Sequence, residues 1–181
     1  HDKKIAIIGG GPAGLSCAYY LAQDGYDVTV FEKEEKLGGM MTLGIPAFRL
    51  QKDVVQAEID IIEKLGVKFK TGVEVGKDVT IAQLKEQGFN GFYIAIGAQL
   101  SRNLGLENEN NIDVVGGIDF LRQVSLGKGL ELNGNVVVVG GGNVAMDVAR
   151  TALRQGASRV DLYCLESREE MPAAKDELAE A

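Results

Sequence analysis

The chain has 181 residues, 45 % of them hydrophobic and 25 % charged, which is enough apolar content for a core and argues against disorder. A formal net charge of −7 leaves no concentrated lysine and arginine to meet phosphate, which argues against nucleic acid and anionic membrane surfaces as partners. No apolar run approaches the roughly 18 residues of a membrane span.

The first strand is read at Ile5–Ile8, a short continuous apolar run of the kind buried in a parallel sheet. A helix follows from Ala13 to about Asp24 and stops at Gly25. Asp27–Glu32, alternating and β-branched, is the second strand. A glycine-rich loop covers Gly38–Gly44. The next helix places Val54, Ala57, Ile61 and Leu65 on one face and ends at Gly66. Val67–Val75 reads as a strand. Thr80 and Gln83 form a capping box for a helix ending near Gly88. Residues 92–97 read as another buried strand, and 101–117 as a polar linker. A short helix (118–125) precedes a second series: strand 136–139, glycine turn, helix 143–154, stop at Gly156 and strand 159–165. Pro172 is placed in the first turn of a last helix that runs to Ala181. Strand, glycine turn, helix and strand, occurring twice, predict an α/β fold of two Rossmann-like βαβ units with parallel sheets. The expected division is 1–110, a connecting segment 111–134, and 135–181.

The two glycine turns carry the chemistry. Gly9, Gly11 and Gly14 fit G-x-G-x-x-G: the first permits a tight turn, the second lets a pyrophosphate approach the backbone, and the third lets helix and strand pack closely. The phosphates would sit at the helix N-terminus. Glu32, 18 residues past Gly14 at a strand end, suits an adenine-side ribose. The second turn has Gly140, Gly142 and Ala145, with Glu166 lying 21 residues past Ala145, again read at a strand end. Two dinucleotide sites in one chain imply FAD with NAD(P)H, the nicotinamide giving hydride and the flavin accepting it.

His1 is the only histidine and is assigned no role. The two cysteines, Cys17 and Cys164, are far apart, too few for an iron–sulfur cluster, and read as packing residues in a reducing, cytoplasmic compartment. Met40, Met41 and Met146 are read as packing and Asp147 as structural. Arg49 is open between a surface cation and a partner for the FAD phosphates or flavin. No catalytic side chain and no metal ligand is nominated, because hydride transfer needs the two rings stacked at reactive distance and no obligatory acid or base.

The stretches "GGGPAGLSCAYYLAQDGYDVTVFEK", "LGGMMTLGIPAFRL", "AIGAQLSR", "GGGNVAMDVARTALRQGA" and "EEMPA" together resemble the small-subunit family of glutamate synthase, including the related flavin segment of dihydropyrimidine dehydrogenase. The resemblance implies electron flow from NAD(P)H through FAD to iron–sulfur clusters outside this chain, in a partner subunit or domain. It implies FAD at Gly9, Gly11, Pro12, Ala13, Gly14, Glu32, Lys33 and the Gly39 loop, with Arg49 and the Ala95–Gly97 turn nearer the flavin. It implies NAD(P)H at Gly140, Gly142, Asn143, Val144 and Ala145, and at Glu166 and Arg168. The family continues past residue 181 and carries cysteines upstream, so a fragment with both sites incomplete, inactive alone, is expected. Members using NADPH often have paired arginines where this chain has Leu165 and Glu166. A carboxylate there favours a ribose 2′-hydroxyl over a 2′-phosphate, so NADH is favoured, with Arg168 two residues on able to offset this. Disulfide reductases need a redox-active cysteine pair, absent here. The alternatives are a non-catalytic NAD(H)-binding module and a reductase of a soluble electron carrier.

Overall fold

A computed structural model describes residues 3–181; His1 lies outside them. The elements run β1 (Lys4–Ile8), α1 (Pro12–Gln23), β2 (Asp27–Glu32), α2 (Met40–Leu43), α3 (Lys52–Lys64), β3 (Lys68–Thr71), α4 (Ile81–Glu86) and β4 (Phe89–Ile94). They continue as α5 (Gly117–Ser125), β5 (Asn135–Val139), α6 (Asn143–Arg154), β6 (Arg159–Tyr163) and α7 (Lys175–Glu180). Two compact units result, one reaching Thr42 and including Ala47–Ala98, the other comprising Leu43–Pro46 and Gln99–Ala181.

The first unit is a parallel sheet in the order β3-β2-β1-β4. Its central strands β1 and β2 carry apolar residues on both faces because both faces are covered there, whereas the outer strand β3 is largely exposed. Ile7, Val28 and Val30 meet Leu15 and Ala18 of α1 and Val55, Ile59 and Ile62 of α3. Ala6 and Phe31 instead meet Leu84 of α4 and Phe89. The capping box that opens α4 forms as expected: Gln83 N–H donates to Thr80 Oγ1 at 3.2 Å and Thr80 N–H to Gln83 Oε1 at 2.8 Å.

The second unit pairs β5 with β6 in parallel, Val139 opposite Tyr163. One cluster joins Phe120 and Leu121 of α5 to Ala152 of α6 and Ala157. Another joins Val138, Ala145 and Met146 to Ala173, with Met171 and Leu178 against it. The parallel α/β architecture of both units is the one expected.

Several local readings need correction. Val54, Ala57, Ile61 and Leu65 are exposed on α3, and the core takes Val55, Ile59 and Ile62. Both stripes have helical spacing, and periodicity alone cannot say which one the sheet will cover. β3 ends at Thr71, not Val75, because the chain turns away after Gly72 (φ +68°). β4 ends at Ile94, so Ala95–Gly97 lies beyond the strand. A short helix, α2, interrupts the 38–44 loop. Pro172 precedes α7, which opens only at Lys175 because the backbone of 173–174 is bonded elsewhere. β6 ends at Tyr163, which leaves Glu166 in a bend rather than at a strand end.

Candidate functional site: two glycine turns built alike

In the first turn, Gly9 N–H donates to the Phe31 carbonyl at 2.8 Å and bends the chain out of β1. Gly9 has φ +109°, and a Cβ there would stand 2.2 Å from the Ala95 carbonyl oxygen. A Cβ at Gly14 would stand 1.9 Å from the Gly9 carbonyl oxygen, so the third motif glycine lets α1 lie against the turn. Glu32, at the C-terminal end of β2 and 7 % exposed, faces back into the turn. Its Oε2 accepts from Gly10 N–H at 2.7 Å and its Oε1 from Glu34 N–H at 2.8 Å. Gly38 N–H donates to the Gly10 carbonyl at 2.8 Å, which brings the following loop over the turn with Gly39 against Gly11. Lys52 Nζ donates to the Met41 carbonyl at 2.7 Å and ties that loop to α3, and its partial burial holds its pKa below the ordinary lysine value.

The second turn repeats this plan. Gly140 N–H donates to the Tyr163 carbonyl at 2.8 Å. Ala145 takes the place of the third glycine, and its Cβ is 3.6 Å from where a Gly140 Cβ would be, so a methyl fits there. Cys164 and the Glu166 carboxylate lie over Gly141, with Glu166 Oε2 3.3 Å from a Gly141 Cβ position, the same distance Glu32 Oε2 keeps from that of Gly10. By register Cys164, not Glu166, is the counterpart of Glu32, and Glu166 reaches the turn from an exposed loop.

Both turns have room for a pyrophosphate. A Cβ at Gly11 would meet only Gly39 Cα, at 3.8 Å, and one at Gly142 would meet nothing within 4 Å. Neither α1 nor α6 has a side-chain N-cap or an acidic residue in its first turn, so no side chain of either helix's own first turn competes with a phosphate for its N-terminal N–H groups. The residues present therefore fit a dinucleotide at each turn.

Gly9, Gly11, Pro12, Ala13, Gly14, Glu32, Gly39 and Ala95 converge on the first turn. Lys33 is exposed just past β2, Gly97 (φ +71°) is exposed beyond Ala95, and Arg49 is exposed in the turn before α3. Gly140, Gly142, Asn143, Val144 and Ala145 form the second turn and the start of α6, with Glu166 over it and Arg168 exposed in the same loop. Sequence reasoning passed over Gly10 and Gly141, the middle residues of each GGG. Both are buried: a Cβ on Gly10 would meet Leu37 Cδ2 at 2.6 Å, and one on Gly141 would meet Cys164 Cβ at 3.1 Å. The third consecutive glycine was the available signal. Met146 (2 % exposed) packs in the core as expected, and Asp147 is buried beside it on α6.

The family description "pyridine nucleotide-disulphide oxidoreductase" matches residues 3–181. The chain is 48 % identical over 182 residues to the NADP(+)-dependent formate dehydrogenase subunit beta of Moorella thermoacetica, covering 99 % of this chain and 26 % of that one. It is 38 % identical over 190 residues to the NADPH glutamate synthase small chain of Escherichia coli K12, covering 99 % of this chain and 40 % of that one. The resemblance to the glutamate synthase small subunit is thus a homology over nearly the whole chain, although the chain spans well under half of either relative. Mycobacterium tuberculosis FprA, solved in complex with NADPH, shares the fold with a TM-score of 0.82 at 22 % identity, over 99 % of this chain and 47 % of its own. Matched along residues 3–181, this chain belongs to the pyridine nucleotide-disulphide oxidoreductase family.

Proposed function

We propose that this chain carries the FAD turn and the NAD(P)H turn of a flavin-dependent NAD(P)H oxidoreductase that passes electrons to an iron–sulfur centre or partner subunit. The observation that carries the reading is the repeated turn, each copy closed by the same glycine N–H to carbonyl bond and each open where a pyrophosphate would lie. The difference between the copies supports placing FAD at the first turn and NAD(P)H at the second. Glu32 is buried and bonded to Gly10 and Glu34 in advance, as a resident cofactor requires. Glu166 stands exposed in a loop, as suits a nucleotide that exchanges at every turnover. Bound at these turns, FAD would accept hydride from the nicotinamide and release electrons singly. The chain's own part is to hold the phosphates on α1 and α6 and the adenine-side riboses on Glu32 and Glu166. Lys33, the Gly39 loop, Arg49, Ala95 and Gly97 belong to the flavin side. The only cysteines, Cys17 and Cys164, are free thiols in separate units, which supports an acceptor other than a disulfide within this chain and a cytoplasmic, reducing setting. By domain, we assign 1–110 to FAD, 111–134 to the connection and 135–181 to NAD(P)H.

The full-length protein should show a flavin spectrum that NADH bleaches under anaerobic conditions. A flavin that neither NADH nor NADPH reduces would leave a nucleotide-binding module without turnover. Glu166 further supports NADH over NADPH. The Moorella and Escherichia relatives are named for NADP(+) or NADPH, so the point needs its own test. Glu166→Arg should move the kcat/KM ratio toward NADPH by about tenfold or more, the effect of reversing one charge near a 2′-phosphate in a partly screened site. Equal use of both coenzymes by the unmodified enzyme would refute the preference.

A further inference from the structure

The "EEMPA" stretch and the helix after it have no part in the reading above. The structure ties them to the second turn at three levels. Ala173 N–H donates to the Gly141 carbonyl at 3.0 Å, and Ala174 N–H donates to Asn143 Oδ1 at 2.7 Å. One step further, Arg150 in the middle of α6 forks to two carboxylates of α7, Nη1 to Glu177 at 3.1 Å and Nη2 to Glu180 at 2.7 Å. The Arg150 and Glu177 side chains are 11 % and 12 % exposed, and Glu180 is 64 % exposed. The other foot of the intervening loop is fixed too, by Gly140 N–H on the Tyr163 carbonyl and by Cys164 against Gly141. Residues 165–170, which include Leu165, Glu166 and Arg168, are exposed between these two feet.

We propose that α7 is a clamp for this nucleotide-reading loop, and that Arg150, with Glu177 and Glu180, is a positioning group for NAD(P)H. The inference rests on the assignment of NAD(P)H to the second turn. A loop pinned at both feet on the turn it serves has already lost most of its conformational freedom before a ligand arrives. Released at one foot, it becomes a tail, and the ordering cost is then charged to nucleotide binding. Hydride transfer in the filled site is untouched. Loss of the clamp should therefore raise KM and spare kcat. The Arg150–Glu177 contact, being buried, escapes salt screening, while the Glu180 contact is screened and weaker.

The test uses the full-length holoenzyme and two readouts. The first is trypsin cleavage after Arg168, followed by mass without nucleotide. The second is steady-state KM and kcat with NADH and with NADPH. Arg150→Met should speed cleavage and raise both KM values about tenfold, with kcat and FAD content within about twofold of the parent, and Arg150→Lys should restore most of the affinity. If Arg150→Met fails to fold, Glu180→Gln, which alters only the exposed arm, should raise KM about twofold at low salt and lose that effect at high salt. Unchanged KM in a folded, flavin-loaded variant would overturn the clamp's role, including the case in which cleavage is faster but KM is not. If the parent's flavin is reduced by neither nucleotide, the functional reading itself has failed and the clamp's role falls with it. Faster cleavage in Arg150→Met would then show only that α7 holds the loop.

Discussion

Gly14→Ala tests the first turn with a single methyl. The added Cβ would lie 1.9 Å from the Gly9 carbonyl oxygen, 3.1 Å from its carbon and 3.2 Å from Ile7 Cγ2. The oxygen must retreat by about 1 Å or more to reach even a tight contact. It has little room, because Gly9 is held by Phe31 on one side and pressed against Ala95 on the other. Overpacking of this kind costs about 1–3 kcal/mol, offset by about 1 kcal/mol for alanine over glycine within a helix. Cofactor affinity should suffer more than stability. The peptide that carries this oxygen also carries the Gly10 N–H that donates to Glu32. Shifting it by about 1 Å forfeits a charge-assisted hydrogen bond of about 1.5–3 kcal/mol that shapes the ribose and phosphate cradle, or roughly ten- to hundredfold in Kd. The assay is quenching of FAD fluorescence on titration with the full-length apoprotein. The second turn supplies the control: Ala145 already carries the methyl, so Ala145→Gly should cost about 1 kcal/mol of helix propensity and leave FAD affinity alone. A Gly14→Ala protein that binds FAD as tightly as its parent would refute the steric account.

Two further outcomes follow from the same geometry. Glu32→Gln keeps the shape but offers one acceptor oxygen to two N–H donors, Gly10 and Glu34. It should lower stability by about 1–3 kcal/mol and weaken FAD binding, and an unchanged thermal midpoint would refute this. The Glu109 carboxylate accepts from the N–H groups of Leu104 and Gly105, and the first of these bonds in particular draws its pKa below the ordinary glutamate value. A depressed pKa stabilises this loop above the ordinary carboxylate range, and the contribution fades as pH falls through the lowered value. The amide shifts of Leu104 and Gly105 should therefore titrate with a midpoint below that of an ordinary glutamate. A midpoint at or above it would refute the contact.

The sequence was most readable where a residue type admits one geometry. GGG after a β-branched run can hardly be anything but a strand-to-helix turn, and Thr80 with Gln83 named their own reciprocal bonds. It was least readable where two solutions share one pattern. The apolar stripes of α3 are both helical, and only the sheet decides between them. Glu166 looked like Glu32 because spacing counts residues, whereas register counts partners: β6 stops at Tyr163, two residues before a strand-end reading of 165 allows. The anchoring of Ala173 and Ala174 was invisible, because it uses backbone N–H groups whose acceptors lie about 30 residues away.

The approach of Ala95 to Gly9 also bears on the order in which the first unit assembles. Ile8 pairs with Phe31, about two dozen residues on, but also with Ile94, more than eighty residues on. Closing the longer loop costs about 1 kcal/mol more entropy, since the cost grows only with the logarithm of length. The parallel β1–α1–β2 unit can thus form early and locally, while the edge strand β4 arrives late. Ala95 follows β4 and supplies the wall against which Gly9 turns. In a refolding experiment, capture of FAD would then mark the last strand to dock rather than the first pair to meet.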